Sequence, residues 1–177
     1  MANYKAIAVV GRAIINLLIG ASRNEFPEAE FKLLQAADFT RVEQFIKEGV
    51  SICLYQLDIN SVPSNNDVLS TSGPGRERST PPISLKLSFL ITSWDSDLEK
   101  RYHLLGLTIQ VLHENPILPA TLLNQITPNE VIFSPDETVK LVFEPLPLSD
   151  LSALLQTLEQ PGMLPSVSYS AYLNIGV

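Results

Sequence analysis

Both histidines of the chain, His103 and His113, lie in one segment, 93–119, together with a group of acidic residues. Histidine and carboxylate side chains together can bind a metal ion or act as general acid and base. The same residue types also occur at the two ends of an ordinary helix, where acids favour the N-terminus and a cation favours the C-terminus. The spacing of the residues decides between these interpretations.

A metal site shared by the two histidines is excluded by their separation. They are ten positions apart, which is about 15 Å along a helix, whereas metal ligands lie about 2 Å from the ion. A hydrolase that uses His103 or His113 with a carboxylate from elsewhere in the chain stays open as an alternative. The sequence has no nucleophile elbow, phosphate-binding loop, dinucleotide fingerprint or Cys/His cluster. This favours a binding or structural protein, and we expect no catalytic, cofactor-binding or metal-binding residues.

The spacing instead predicts a single capped helix over about 97–114. Ser96 and Glu99 have the separation of a capping box, and Asn115 followed by Pro116 is a typical helix end. Apolar residues that recur at intervals of four and three predict the buried face of this helix: Leu98, Tyr102, Leu105, Ile109 and Leu112.

Composition describes a globular domain and excludes a nucleic-acid partner. The chain has 177 residues, 45% of them hydrophobic and 18% charged, which suits one domain with a sizeable core. The net charge is −7 and the basic residues are scattered, whereas a phosphate-binding surface needs clustered Lys and Arg. Cys53 is the only cysteine, so no internal disulfide can form, and we expect it to be a small core residue.

The apolar N-terminal segment predicts a soluble helix over about 3–21. Arg12 and Asn16 interrupt it, which argues against a signal peptide and against direct membrane insertion. Its polar stripe is so narrow that we expect burial against another subunit as well as against the chain's own core. Ile7, Ile14 and Leu18 are expected to face the core, and Val10 and Leu17 to face a neighbour.

The remaining pattern predicts an α/β (α+β) single domain, 1–177, with a mixed, largely antiparallel sheet flanked by helices. The expected strands are 31–35, 50–62, 83–94, 131–134, 138–147 and 166–177, with the third and second pairing across a long polar loop at 63–82. Two more helices are expected, one capped by Asp38 and ending at Gly49, the other capped by Ser149 and ending at Pro161 and Gly162.

Two further expectations concern strand faces and edges. Simple alternation in 50–62 places Val50, Ile52 and Leu54 on one face and Cys53, Tyr55, Leu57 and Ile59 on the other. The last strand has no charged residue from 166 to 177, so no charge guards its edge. We therefore expect a partner to cover the edge of this last strand.

Several segments, read in order, resemble one known family. They are MANYKAIAVVGRAIINLL, VSICLYQLDIN, PPISLKLSFLITSWDSDLEKRYHLLGLTIQVLHENPILP, VKLVFEPLPLSDLSALLQTL and PSVSYSAYLNIGV. The pattern resembles the N-terminal-type domain of the cap, or tail-terminator, proteins of extracellular contractile injection systems, the phage-tail-like particles of the antifeeding-prophage kind. The resemblance covers nearly the whole chain apart from 23–48 and 63–80.

This resemblance implies a structural cap, not an enzyme: a tail-terminator-like fold whose copies form a six-fold ring. The implied partners are further copies of the chain, the inner tube protein and the contractile sheath protein, in a particle assembled in the cytoplasm and then released or held at a membrane. We expect subunit contacts at Val10, Arg12, Leu17 and Tyr172, and sheath or tube contacts at Ser170, Asn174, Arg76 and Arg78. An adaptor or chaperone-like protein of another secretion assembly is the alternative.

Overall fold

A computed structural model of the chain describes residues 2–60, 82–160 and 164–176. The predicted polar loop, except for Pro82, lies outside this range, and so do Arg76 and Arg78. Pro161 and Gly162, the predicted end of the last helix, also lie outside it.

Within the described residues, six strands form one sheet in the order β1-β2-β3-β6-β5-β4. The strands are β1 (Glu30–Leu33), β2 (Gly49–Asn60), β3 (Ile83–Trp94), β4 (Ile117–Pro119), β5 (Thr138–Phe143) and β6 (Ser166–Ile175). The helices are α1 (Ala6–Ser22), α2 (Leu98–Glu114), α3 (Ala120–Asn124) and α4 (Leu148–Thr157), with a 3-10 helix at Ala36–Gln44. Only the β1–β2 pair is parallel among the strand pairs described. The predicted fold class is confirmed.

The sheet separates two groups of buried apolar side chains. In the first core cluster, α1, α2 and α3 pack on the face that includes Val50, Leu87 and Ala171. In the second core cluster, the 3-10 helix and α4 pack on the opposite face around Leu90 and Trp94. Strand β3 alternates between the two faces, which is why every residue from Leu87 to Trp94 is buried.

The predicted hairpin between 131–134 and the following strand is wrong. Strand β5 instead pairs with the short β4, with Leu118 opposite Val139. Residues 131–134 are irregular, although Ile132 and Phe133 are buried in the first core cluster. A short apolar run indicates burial without fixing the backbone conformation.

Helix α2 has the predicted bounds to within a residue but a different cap and a different buried face. Asp97 is the N-cap, and its carboxylate accepts a hydrogen bond from the Glu99 N–H at 2.9 Å. The buried residues are Leu104, Thr108, Val111 and Leu112. Leu98, Tyr102 and Ile109, predicted to be buried, are exposed. The helix is apolar on two sides, and tertiary packing selects one of them.

The helix predicted after Asp38 and the one predicted after Ser149 begin differently. Gln35 caps the 3-10 helix, and Asp38 lies inside it, accepting a hydrogen bond from the Gln35 N–H at 3.1 Å. Gly49 is the first residue of β2 and not a helix terminator. Ser149 lies in the first turn of α4, whose N-cap is Pro147. Among the described residues, no helix is long and apolar enough to cross a membrane.

Strand β6 is an interior strand, so its predicted open edge is wrong. It pairs with β3 from Ser166 to Ile175 and with β5 from Tyr169 to Tyr172. Near the end of β6, which β5 does not reach, Ala2 forms a bridge with Ile175. The Ala2 carbonyl accepts a hydrogen bond from Gly176 N–H at 2.8 Å. The absence of charge in this strand reflects burial between two neighbours and not an unguarded edge.

Cys53 lies in the second core cluster, as predicted for a small core residue. Burial raises the pKa of its thiol, and the charge of Asp38 raises it further. Because only the thiolate reacts, we expect Cys53 to react with a disulfide reagent about a thousandfold more slowly in the native protein than in urea. The absorbance of the thiolate that the disulfide reagent releases measures both rates. Rapid stoichiometric labelling of Cys53 in the native protein would contradict this expectation.

Candidate interaction surfaces

A polar cluster lies on the sheet face opposite the first core cluster, with side chains from β3, from β6 and from the residue that follows β5. The Glu144 carboxylate, just after β5, lies 2.6 Å from Lys86 Nζ of β3. It also accepts hydrogen bonds from the Tyr172 hydroxyl at 2.6 Å and the Ser170 hydroxyl at 2.9 Å, both from β6. The order of the strands creates this cluster, because β6 lies between β3 and β5.

The contacts in this polar cluster hold Glu144 in its ionised form. Burial alone would raise the pKa of Glu144, but the hydrogen bonds from Lys86, Tyr172 and Ser170 outweigh it and lower the pKa below the ordinary value of 4.5. The hydrogen bond to Glu144 raises the pKa of Lys86, against a smaller opposing effect of burial. A lowered carboxylate pKa adds stability above the ordinary pKa, and this stability is lost as the pH falls through the lowered value.

The substitution Glu144→Gln tests this charge. Both side chains of the ion pair are partly exposed, so we expect a loss of about 1 kcal/mol or less in unfolding free energy at neutral pH. The difference between the two proteins should shrink as the pH falls below 4.5, where wild-type Glu144 also becomes neutral. Urea unfolding across the pH range measures this, with Glu28→Gln, an exposed loop residue, as the control. A difference that grows toward acid pH would contradict the assignment.

The three candidate contact residues on β6 differ in accessibility. Ser170 is fully buried and Tyr172 is half-buried, and both donate to Glu144. Ser170 therefore cannot contact a sheath or tube subunit through its side chain. Asn174 is exposed, and its amide oxygen accepts a hydrogen bond from the Ser84 hydroxyl at 2.7 Å. Asn174 remains a candidate contact residue.

The candidate residues of α1 also separate. Val10 is fully buried in the first core cluster, so the prediction that it faces another subunit is wrong. Arg12 is exposed. Leu17 is half-buried and lines a cavity of about 390 Å³ between α1, α2 and α3, together with Gly20, Glu114 and Gln125. Arg12 and Leu17 are thus still accessible for a subunit contact.

Exposed apolar side chains mark two surfaces that sequence reasoning missed. One is the outer side of α2, with Leu98, Tyr102 and Ile109. The other lies on β2, where Leu54 is 38% exposed, Leu57 42% and Ile59 62%. The helical spacing of the residues on the first surface does identify one apolar face, but the sequence analysis predicted that this face would be buried in the core.

The two histidines lie along α2, and the acids of their segment lie mainly at its N-terminus. His103 and His113 are both exposed on α2. Within the described residues, no group of three or more His, Cys, Asp or Glu side chains is placed to hold a metal ion. The acids near the start of α2 serve its N-terminus instead: Asp95 accepts from Asp97 N–H at 2.6 Å, and Asp97 accepts from Glu99 N–H.

A comparison with protein families adds a decisive observation. The family model of the Pvc16 N-terminal domain matches residues 13–173, nearly the whole chain. The chain belongs to this family. A search of curated proteins finds no match.

Solved structures support the fold of this Pvc16 N-terminal domain. One is the sheath/tube terminator of the PVC extracellular contractile injection system in the extended state. It is 15% identical, with a TM-score of 0.58 over 97% of this chain and 56% of that chain. Another is the tube-terminating cap of the anti-feeding prophage. It is also 15% identical, with a TM-score of 0.58 over 95% of this chain and 54% of that chain. The chain thus spans about half the length of each.

Proposed function

We propose that this chain is a terminator, or cap, component of a contractile injection system that ends the inner tube and its sheath. The observation that carries the proposal is the family match over residues 13–173. The likeness to a sheath/tube terminator and to a tube-terminating cap, each over almost all of this chain, supports it.

The mechanism would be geometric and not catalytic. Copies of the chain, six by the family resemblance, would form a ring with one face complementary to the last tube and sheath subunits. The opposite face would offer no site for further addition, so growth would stop. Support comes from the accessible Arg12 and Leu17 on α1 and from the exposed apolar side chains of α2, because such patches commonly mark interfaces. The particle would be assembled in the cytoplasm.

Removing the gene for this protein from its host tests the role directly. We expect negative-stain images to show tubes and sheaths of irregular length, and expression of the wild-type chain should restore a uniform length. Particles of normal length and closure in the deletion strain would contradict the proposal. Light scattering of the purified protein tests the ring separately, because a ring predicts a defined multiple of the subunit mass of 19.5 kDa.

The two histidines test the non-enzymatic part of the proposal. Both are exposed on α2, where they are not needed for packing. We expect His103→Ala combined with His113→Ala to restore uniform particles in the deletion strain as well as the wild-type chain does. Alanine also suits a helix, so the unfolding free energy should change by less than about 0.5 kcal/mol. Failure of this folded double variant to support assembly would point to a functional role of histidine.

A further inference from the structure

Among the described residues, no strand lies beside the outer edge of β2 over most of its length. Strand β1 pairs only with Gly49–Ile52, and one further hydrogen bond joins Leu34 N–H to the Ile52 carbonyl at 3.0 Å. Beyond Leu34 the chain turns into the 3-10 helix, which packs in the second core cluster. Within the described part of the chain, no strand pairs with the outer side of β2 from Cys53 to Ile59.

The backbone groups that point away from the sheet at this edge follow from the register. The Ile52 carbonyl points toward β1, so the N–H and C=O of Leu54 point the same way, because alternate residues of a strand share a direction. Leu54 lies opposite Phe89, and β3 continues without irregularity through Leu87 and Leu85. The residues opposite those two are Leu57 and Ile59. Leu54, Leu57 and Ile59 therefore all direct their N–H and C=O groups outward.

The side chains of the same three residues lie on one face. Leu85, Leu87 and Phe89 belong to the first core cluster, and directly opposed residues of an antiparallel pair share a face. Leu54, Leu57 and Ile59 thus extend the apolar face of this cluster to the edge, where they remain exposed. The opposite face of this segment carries Gln56 and Asp58, and Asp58 is the only charged residue of 53–59.

We propose that the outer edge of β2, from Leu54 to Ile59, binds an extended segment of another polypeptide as an added strand. Outward N–H and C=O groups in strand register match the backbone of an added strand, which would replace the water that solvates them. The exposed apolar row selects apolar residues at alternate positions of that segment, and Asp58 favours basic residues between them. This binding site does not depend on the terminator role.

The opposite edge of the sheet, in a second copy of the chain, is poorly suited to pair with this site. Strand β4 has three residues, includes Pro119 and is preceded directly by Pro116. Proline has no backbone N–H to donate to a ladder. Edge-to-edge pairing of β2 with β4 of a second copy is therefore disfavoured.

Amide exchange in the full chain tests the site, with a short synthetic peptide of alternating valine and lysine as the probe. We expect saturating peptide to slow exchange of the Leu54, Leu57 and Ile59 amides by about tenfold or more. The same peptide with every backbone nitrogen methylated, which cannot donate, should leave their exchange unchanged. Leu57→Pro removes an outward N–H and should weaken peptide binding about tenfold, whereas Leu57→Thr, which keeps it, should weaken binding less.

Four outcomes would overturn the proposal. Exchange at these amides that the peptide does not slow would show that the edge binds no strand. Protection in the protein alone that is independent of concentration would mean that the chain covers its own edge, and protection that rises with protein concentration would mean a second copy. Unchanged peptide binding by Leu57→Pro, and by Ile59→Pro if the first variant unfolds, would show a contact made through side chains alone.

Discussion

Gly49→Ala is expected to destabilise the fold by about 3 kcal/mol or more. Gly49 has φ of 153°, a conformation that residues with a side chain rarely adopt. A methyl group there would lie 1.9 Å from the Glu30 carbonyl oxygen and 2.7 Å from both the carbonyl carbon and the nitrogen of the same residue. These are backbone atoms of β1, which pairs with β2 at this position, so they cannot move aside as a flexible side chain can.

A second glycine provides the matched control for this substitution. Gly106 lies inside α2, and an added methyl group would meet nothing within 4 Å. Gly106→Ala should therefore stabilise the protein by about 0.5–1 kcal/mol through helix propensity alone. Urea unfolding measures both, and Trp94 is a suitable fluorescent reporter because it is buried against Phe39. A change of less than about 1 kcal/mol for Gly49→Ala would contradict the close approach of the two strands.

If the clash in Gly49→Ala separates β1 from β2, the exposed edge of β2 becomes longer. Strand β1 covers Gly49–Ile52, and beyond it the outer side of β2 has no partner among the described residues. Because unpaired edges promote association, we expect Gly49→Ala to aggregate more readily than a core variant of equal stability. Gly49 thus affects both the stability of the β1–β2 pair and the accessibility of the β2 edge.

The positions of the longer strands were predictable from the sequence because burial on the two sheet faces imposes a clear alternation. In β3, Leu85 and Leu87 belong to the first core cluster, and Leu90 to the second. In β6, Tyr169, Ala171 and Leu173 also belong to the first and occupy alternate positions of the strand. The order of the strands was not predictable from such patterns, and that is why β6 was mistaken for an edge strand.

The faces of β2 could be predicted only as far as an irregularity in its pairing. The register with β3 shifts between Leu54 and Gln56. Such a bulge places two residues opposite one, so every later side chain moves to the other face. Leu57 and Ile59 therefore share a face with Val50 and not with Cys53, contrary to simple alternation. A bulge has no sequence signal in a segment that contains no glycine.

Contact residues were the least predictable part, because they depend on which of several apolar surfaces the fold itself covers. Val10 was expected to face a neighbour, yet it is in the core, whereas Tyr102 was expected in the core, yet it is exposed. Both lie on helices that are apolar on more than one side. Helical spacing identifies such sides without ranking them, and the neighbouring elements that rank them are distant in sequence.

Asn124→Ala is expected to lower the unfolding free energy by about 3 kcal/mol, because one side chain satisfies three backbone groups. The Asn124 amide nitrogen donates to the Phe133 carbonyl at 2.8 Å, and its oxygen accepts from the N–H groups of Ile132 and Phe133 at 3.1 and 3.0 Å. These bonds hold the irregular segment 131–134 against α3. Ile132 and Phe133 are almost completely buried, so their backbone has little access to water as a substitute partner.

The neighbouring Gln125→Ala is the control, because Gln125 is exposed and follows the same short helix. It should change the unfolding free energy by less than about 0.5 kcal/mol. Trp94 fluorescence and far-UV circular dichroism should give the same midpoint for Asn124→Ala. Trp94 lies in the second core cluster, across the sheet from Phe133, so coincident transitions mean that both clusters unfold together. If Asn124→Ala were as stable as Gln125→Ala, segment 131–134 would be held by its apolar side chains alone. The hydrogen bonds of the Asn124 side chain would then contribute nothing measurable to stability.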